Sequence, residues 1–152
     1  MNTATQDSTP ALRRVDQLLA HYDESHRHPA NELIHFFAVP LIMLTLVGLM
    51  YEASPLLAYA FIAASMVFYF RLSRVFFIAM TGVSALMLLL VHAMGVLRLE
   101  MCIGIFLIAW VFQFVGHAVE GKKPSFFEDI RYLWVGPLFV LSKLFAKIGV
   151  RW

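Results

Sequence analysis

The sequence predicts an all-α, polytopic membrane helix bundle. It should have about four transmembrane helices, an N-terminal amphipathic helix and a C-terminal interfacial or re-entrant helix. Three observations carry this. Hydrophobic residues make up 61% and charged residues 14% of the 152 residues, against roughly half and a quarter in soluble chains. Mean hydropathy is +0.75, and a soluble domain of this size has too little interior to hide so much apolar surface. Finally, the apolar residues fall into long runs separated by short polar breaks, and the cations gather on alternate breaks.

The elements follow in order. The opening "MNTATQDSTP" is polar and lacks an apolar signal region, so no cleavable signal peptide is expected and residues 1–10 should be flexible. The segment "LRRVDQLLAHYDESH" places Leu12, Val15, Leu18 and Leu19 on one side, the pattern of a surface-lying amphipathic helix. Four apolar runs, 33–51, 55–70, 75–97 and 101–119, each approach the ~20 residues that cross ~30 Å of hydrocarbon. The breaks "YEASP", "RLSR" and "RLE" are tight turns, and Pro55 suits the first turn of a new helix. The last segment, "YLWVGPLFVLSKLFAKIGVRW", is shorter, carries Lys143 and Lys147 at helical spacing, and is interrupted by Gly136-Pro137. It reads as a helix that does not span. The chain is thus a single integral-membrane domain, 1–152, with no internal repeat.

Charge sets the expected orientation. Arg13, Arg14, Arg27, Arg71, Arg74, Lys122, Lys123 and Arg131 fall on one side of the alternation. Glu52, Arg98 and Glu100 fall on the other. The positive-inside rule then puts both termini in the cytoplasm.

Several functions are excluded or disfavoured. No basic patch interleaved with aromatics points to nucleic acid. Cys102 is the single cysteine, so no disulfide or Cys-based zinc site can form within one chain, and it reads as a small buried hydrophobe. No nucleophile elbow, P-loop or dinucleotide fingerprint occurs. Acidic residues are scarce within the spans, which argues against an ion-coupled carrier.

Polar residues converge at one face instead. Half of the six histidines lie in "HRHPANELIH", at the start of the first span, and the fourth span ends at the same face in "QFVGHAVEGKKPSF". Asn31 and His35 are four apart and share a helix face behind Pro29, while Gln113, His117 and Glu120 form one stripe. A single such histidine would merely meet the headgroups; several in phase on two helices suggest a site. Three imidazoles suit iron or zinc, an imidazole and a carboxylate at i, i+3 can share one ion, and neighbouring amides or carboxylates can orient the ligands. His26 and His28 precede the proline, so helical phase does not aim them. His92 belongs some 20 Å away near the opposite face, as a packing residue. His21 is ambiguous, and Tyr22 beside it can lean over the site. Arg27, Lys122, Lys123 and Arg131 are expected to contact lipid phosphates, a subset of them holding the carboxylate of an amphiphile. Pro40, Pro124 and Gly136-Pro137 are places where backbone can open to line a cavity. At this point a catalytic metal site, a structural metal or lipid-headgroup site without catalysis, zinc hydrolysis with Glu120 as base, and haem held by His35 and His117 all stay open.

The paired motifs "YDESHRHPANELIHFFAVPL" and "QFVGHAVEGKKPSFFEDIRYLWVGPLFVL" resemble the membrane-embedded 2-hydroxy fatty acid dioxygenases of the phytosphingosine-degradation type. Tyr22, His26, Asn31, His35, Pro40, Gln113, Gly116, His117, Glu120 and Pro124 match that pattern, and the resemblance covers essentially the whole chain. It implies Fe²⁺-dependent, O₂-using α-oxidation of a 2-hydroxy long-chain acid to the acid one carbon shorter. His26, His35 and His117 would be iron ligands, with Glu120 or Asn31 ligating or orienting them, and His28 a weaker candidate. Apart from the resemblance, Tyr22, Arg27, Gln113, Lys122, Lys123 and Arg131 are the expected substrate-facing residues. The implied partners are the bilayer and the fatty acid, with self-association open. The short N-terminal segment without a signal region leads us to expect a bacterial inner membrane, and the charge asymmetry puts the site at its cytoplasmic face.

Overall fold

The computed structural model describes residues 12–121 and 132–152, and within them every regular element is helical. They are α1 (Arg14–Asp23), α2 (Pro29–Ala53), α3 (Pro55–Leu72), α4 (Arg74–Ala93), a 3₁₀ turn (Gly95–Leu97), α5 (Arg98–Glu120) and α6 (Val135–Ile148). Four of them are long and apolar enough to cross a membrane, so the expected bundle is present. The predicted flexibility of residues 1–10 falls outside the described residues, as do Lys122, Lys123, Pro124 and Arg131.

The helix limits follow local chemistry. Pro29 opens α2 at the position where its missing N–H is not needed, and the His28 ring accepts a hydrogen bond from the Ala30 amide at 3.2 Å. The first span therefore starts earlier than residue 33. Pro40 lies within α2, which runs unbroken from Pro29 to Ala53 and does not open there. Ser54 and Ser73, both extended, make one-residue breaks before α3 and α4. The predicted run 75–97 combines α4 with the 3₁₀ turn, because Gly95 takes a left-handed φ of 56° that ends regular helix. On the same side, α5 reaches back to Arg98, whose charge is paired with Glu52 at 2.9 Å and stacked over Tyr51.

The bundle is organised around α2, which packs most extensively on α5. Ala38 and Ile42 meet Ala109 and Trp110 in the middle of this contact. Small residues let the backbones come close at both ends. A Cβ on Gly48 would lie 2.4 Å from Cys102 Sγ, and one on Gly116 would lie 2.3 Å from Asn31 Oδ1. Cys102 is indeed buried and free.

On the far side of α2, α6 packs between α1 and the spans. Val15, Leu19 and Tyr22 of α1 join Val135, Leu138, Phe139 and Phe145 of α6 in one core with Tyr69, Phe76 and Met80. Leu12 precedes α1 and is 65% exposed, so the amphipathic stripe begins at Val15. The Trp134 indole donates to Ser65 Oγ at 2.8 Å, and Tyr69 donates to the Trp134 carbonyl at 3.2 Å. The start of α6 is thereby tied to the middle of α3. Its other end returns to α1, where Arg13 donates to the Trp152 carbonyl and Trp152 Nε1 to Asp16 at 3.3 Å. At 14 residues α6 is too short to span, as predicted. Gly136-Pro137 does not interrupt it; the pair forms the first turn, where backbone N–H groups have no intrahelical acceptor. Gly136 also permits the contact, since a Cβ there would sit 3.1 Å from Val39.

Gly48→Ala should lower the thermal midpoint of detergent-purified protein by the equivalent of about 1–3 kcal/mol. Cys102→Ala in the same chain should restore most of it, since only Sγ intrudes and the Cys102 Cβ would stand at 3.8 Å. A double variant as unstable as the single one would refute this close approach.

Candidate metal centre

Three segments deliver one imidazole each to the end of the bundle where α2 begins and α5 finishes. His35 lies in the second turn of α2, His117 in the last turn of α5, and His26 in the connection between α1 and α2. They are 0%, 5% and 2% exposed respectively. Each offers a ring nitrogen such that all three lie within 4.8 Å of one another. The ring centroids are 4.2 Å apart for His26 and His35, 5.6 Å for His26 and His117, and 5.0 Å for His35 and His117. The ring planes are inclined at 72°, 62° and 82°, so the rings approach one centre from different directions.

The hydrogen bonds fix how two of these rings are used. His26 Nδ1 lies 2.7 Å from the Tyr22 carbonyl, and His35 Nδ1 lies 3.0 Å from the Asn31 carbonyl. A carbonyl can only accept, so Nδ1 carries the hydrogen in both, and the neutral ring keeps its lone pair on Nε2. This is how a metal-binding histidine is held when a backbone group orients it. Tyr22 also stacks on His26, with centroids 4.2 Å apart and planes within 9°. Phe139 of α6 packs beside both rings.

The expected residues then separate. Glu120 is not in the imidazole cluster. Its Oε1 accepts from the Arg27 amide at 3.1 Å, and its Oε2 from the His28 amide at 2.8 Å and from Asn31 Nδ2 at 3.1 Å. The carboxylate therefore seats the end of α5 on the positive N-terminal end of α2, where amide donors and the helix dipole favour an anion. Asn31, fully buried, also donates to the Ser25 carbonyl at 3.1 Å, tying the His26 loop to the same point. His28 is the N-cap of α2, exposed, and is not part of the three-imidazole group. Arg27 contributes its backbone amide to Glu120, and its side chain is exposed. Gln113 is buried one turn before His117. His21 is exposed and 5.5 Å from Tyr132 between ring centroids. His92 is at the other end of the bundle, where its Nε2 accepts from Tyr51 at 2.9 Å and its Nδ1 donates to Leu88 at 2.7 Å.

Sequence reasoning missed Ser25, Trp110 and Tyr132. Trp110 continues the stripe of Gln113 and His117 one turn further, so helical phase could have found it. Ser25 and Tyr132 carry no local signal.

Among the alternatives, haem between His35 and His117 fits poorly. Rings 5.0 Å apart and nearly perpendicular leave no slot for a porphyrin. A water-activating role for Glu120 also fits poorly, because three donors already occupy its oxygens.

A membrane-spanning helical bundle with a buried, backbone-oriented three-histidine centre at one end is the class of protein that the fold and site define. The chain belongs to the Mpo1-like family, whose profile, described as 2-hydroxy-palmitic acid dioxygenase Mpo1-like, matches residues 12–148. The 2-hydroxy-palmitic acid dioxygenase MPO1 of Saccharomyces cerevisiae is 27% identical over 139 residues, a match covering 86% of this chain and 79% of the yeast protein. No solved structure matches the chain.

Glu120→Gln should cost about 1–3 kcal/mol, because one amide oxygen cannot replace a charged acceptor of three N–H groups. The loss should appear in the thermal midpoint and as faster hydrogen exchange at the amides of Arg27 and His28. Unchanged exchange there would show that the carboxylate does not hold α2.

Proposed function

We propose that this chain is an Fe²⁺-dependent dioxygenase that carries out α-oxidation of 2-hydroxy long-chain fatty acids. The acid one carbon shorter is the product, and atom balance with one O₂ makes CO₂ and water the others. The observation that supports this most is the convergence of His26, His35 and His117 in a member of a family whose yeast relative is named a 2-hydroxy-palmitic acid dioxygenase.

The residues fit a divalent first-row metal. Neutral imidazole suits iron, and three ring nitrogens within 4.8 Å of one another would draw together onto an ion with bonds of about 2 Å. His26, His35 and His117 would hold the ion through one nitrogen each, leaving other positions for substrate and O₂. When bound, the iron supplies the redox chemistry of O₂ and a Lewis-acid face for the hydroxy-carboxylate.

The protein supplies the rest. The Tyr22 and Asn31 carbonyls keep His26 and His35 in the Nε2-donating tautomer. Glu120 and Asn31 are positioning residues that lock α2, α5 and the His26 loop together. The burial of all three rings excludes bulk water from their inner edges. A lipid held in the bilayer brings its head to the depth of this cluster. Arg27, Lys122, Lys123 and Arg131 are our candidates for its carboxylate. The cation distribution supports an orientation with the cluster on the cytoplasmic side of the membrane.

Purified protein should carry about one iron per chain and consume O₂ only with a 2-hydroxy C14–C18 acid, releasing the shortened acid detectable by mass spectrometry. His35→Ala and His117→Ala together should abolish both iron retention and turnover. Zinc retained without turnover would favour a structural metal site, and full activity in the double variant would refute the proposal.

A further inference from the structure

Immediately inward of the histidine cluster is a small cavity of about 30 Å³. Its walls include Tyr22, Val39, Ile42, Trp110, Gln113 and Gly136. Each clustered histidine is four residues from one of them: His26 from Tyr22, His35 from Val39 and His117 from Gln113. For His35 and His117 that spacing is one helical turn on the same face, and His26, which is not in a helix, stacks directly on Tyr22 with centroids 4.2 Å apart, so the cavity forms the floor of the cluster. At this volume it takes roughly two water-sized groups and no alkyl chain.

Most of the wall is apolar, which makes Gln113 conspicuous. It is 4% exposed, and its Oε1 is buried with no hydrogen-bond partner among the described residues. Buried polar atoms are normally satisfied, and one that is not calls for a ligand or an ion. A carbonyl oxygen only accepts, so what satisfies it must bring a hydrogen. A fatty carboxylate has none to give, and a 2-hydroxyl has one.

We infer that Gln113 Oε1 accepts the hydrogen of the substrate's 2-hydroxyl group in this cavity, which makes Gln113 the residue that selects 2-hydroxy acids over unsubstituted ones. The inference rests on the dioxygenase reading above and adds the atom that carries its specificity. A hydroxyl with its oxygen turned toward the imidazoles keeps its hydrogen directed at the floor, where Gln113 stands. An amide suits this task better than a carboxylate, since it accepts the hydrogen without repelling the acid group one carbon away. A site built around such an acceptor rejects the analogue that leaves it unsatisfied.

The test is equilibrium binding, without turnover, to nanodisc-embedded protein loaded with cobalt(II) under argon. Three probes are compared: 2-hydroxypalmitate, 2-oxopalmitate, which can chelate but has no hydrogen to donate, and palmitate. Wild type should bind the hydroxy acid about tenfold more tightly than the oxo acid. In Gln113→Met, similar in shape, that ratio should fall to near one with cobalt content and palmitate affinity unchanged. A ratio that persists in Gln113→Met, or a wild-type ratio already near one, overturns the role of Gln113. The wild-type oxo-acid comparison decides the matter even if the variant does not fold. If cobalt-loaded wild type does not prefer the hydroxy acid even to palmitate, the dioxygenase reading fails and this inference with it. Preference over palmitate with no effect of Gln113→Met removes only the inference.

Discussion

The seating of the Glu120 carboxylate on the N-terminus of α2 is the interaction on which the rest of the site depends. It joins the last residue of α5 to the Arg27 and His28 amides and to the Asn31 side chain. Near the membrane surface, donors left unsatisfied at a helix start are costly, and a carboxylate meets several at once. This one contact aligns the register of α2 and α5, so that His35 and His117 face each other. Through Asn31 it also fixes the loop that brings His26 over them. The helix pair can come this close because Gly116 has no side chain to strike Asn31, and Gly48 none to strike Cys102. Charge seats one end of the pair, and the absence of bulk lets it close along its length.

The third imidazole has an additional support. His26 belongs to no helix of the spanning bundle, and besides the Asn31–Ser25 bond its place is set by α1 and α6. Tyr22 stacks on it and Phe139 borders it, while Lys143 of α6 reaches Asp23 at 2.9 Å and Glu32 at 3.5 Å. Two imidazoles are thus supplied by the transmembrane scaffold and one by an appended layer. The layer is fastened in turn by Trp134 to α3 and by Trp152 to α1.

Much of this was legible in the sequence. Hydropathy alone located the four spans, because lipid demands long uninterrupted apolar helix. The grouping of His35 with His117 followed from topology and helical phase. Other features were not legible, for reasons that are equally physical. Spacing shows that His117 and Glu120 share a face, but not that the start of α2 stands opposite the carboxylate. Phase says nothing about His26, which lies in a turn whose position is decided by packing over a hundred residues away in sequence. Gly136-Pro137 reads as a helix breaker from local rules, yet at a helix start the same residues are compatible with the first turn and allow close contact with Val39. Gly95 shows the converse: a local backbone requirement ended α4 inside an apolar run that hydropathy treats as continuous.

The division of the imidazoles between scaffold and appended layer has a consequence for biosynthesis. His26 and His35 leave the ribosome early, His117 much later, and α6 last of these. As the chain is made, His26 and His35 exist before His117 can join them, and His26 is not steadied until α6 brings Phe139 beside it. The three-imidazole cluster is therefore assembled only after the chain has been threaded and packed through α6.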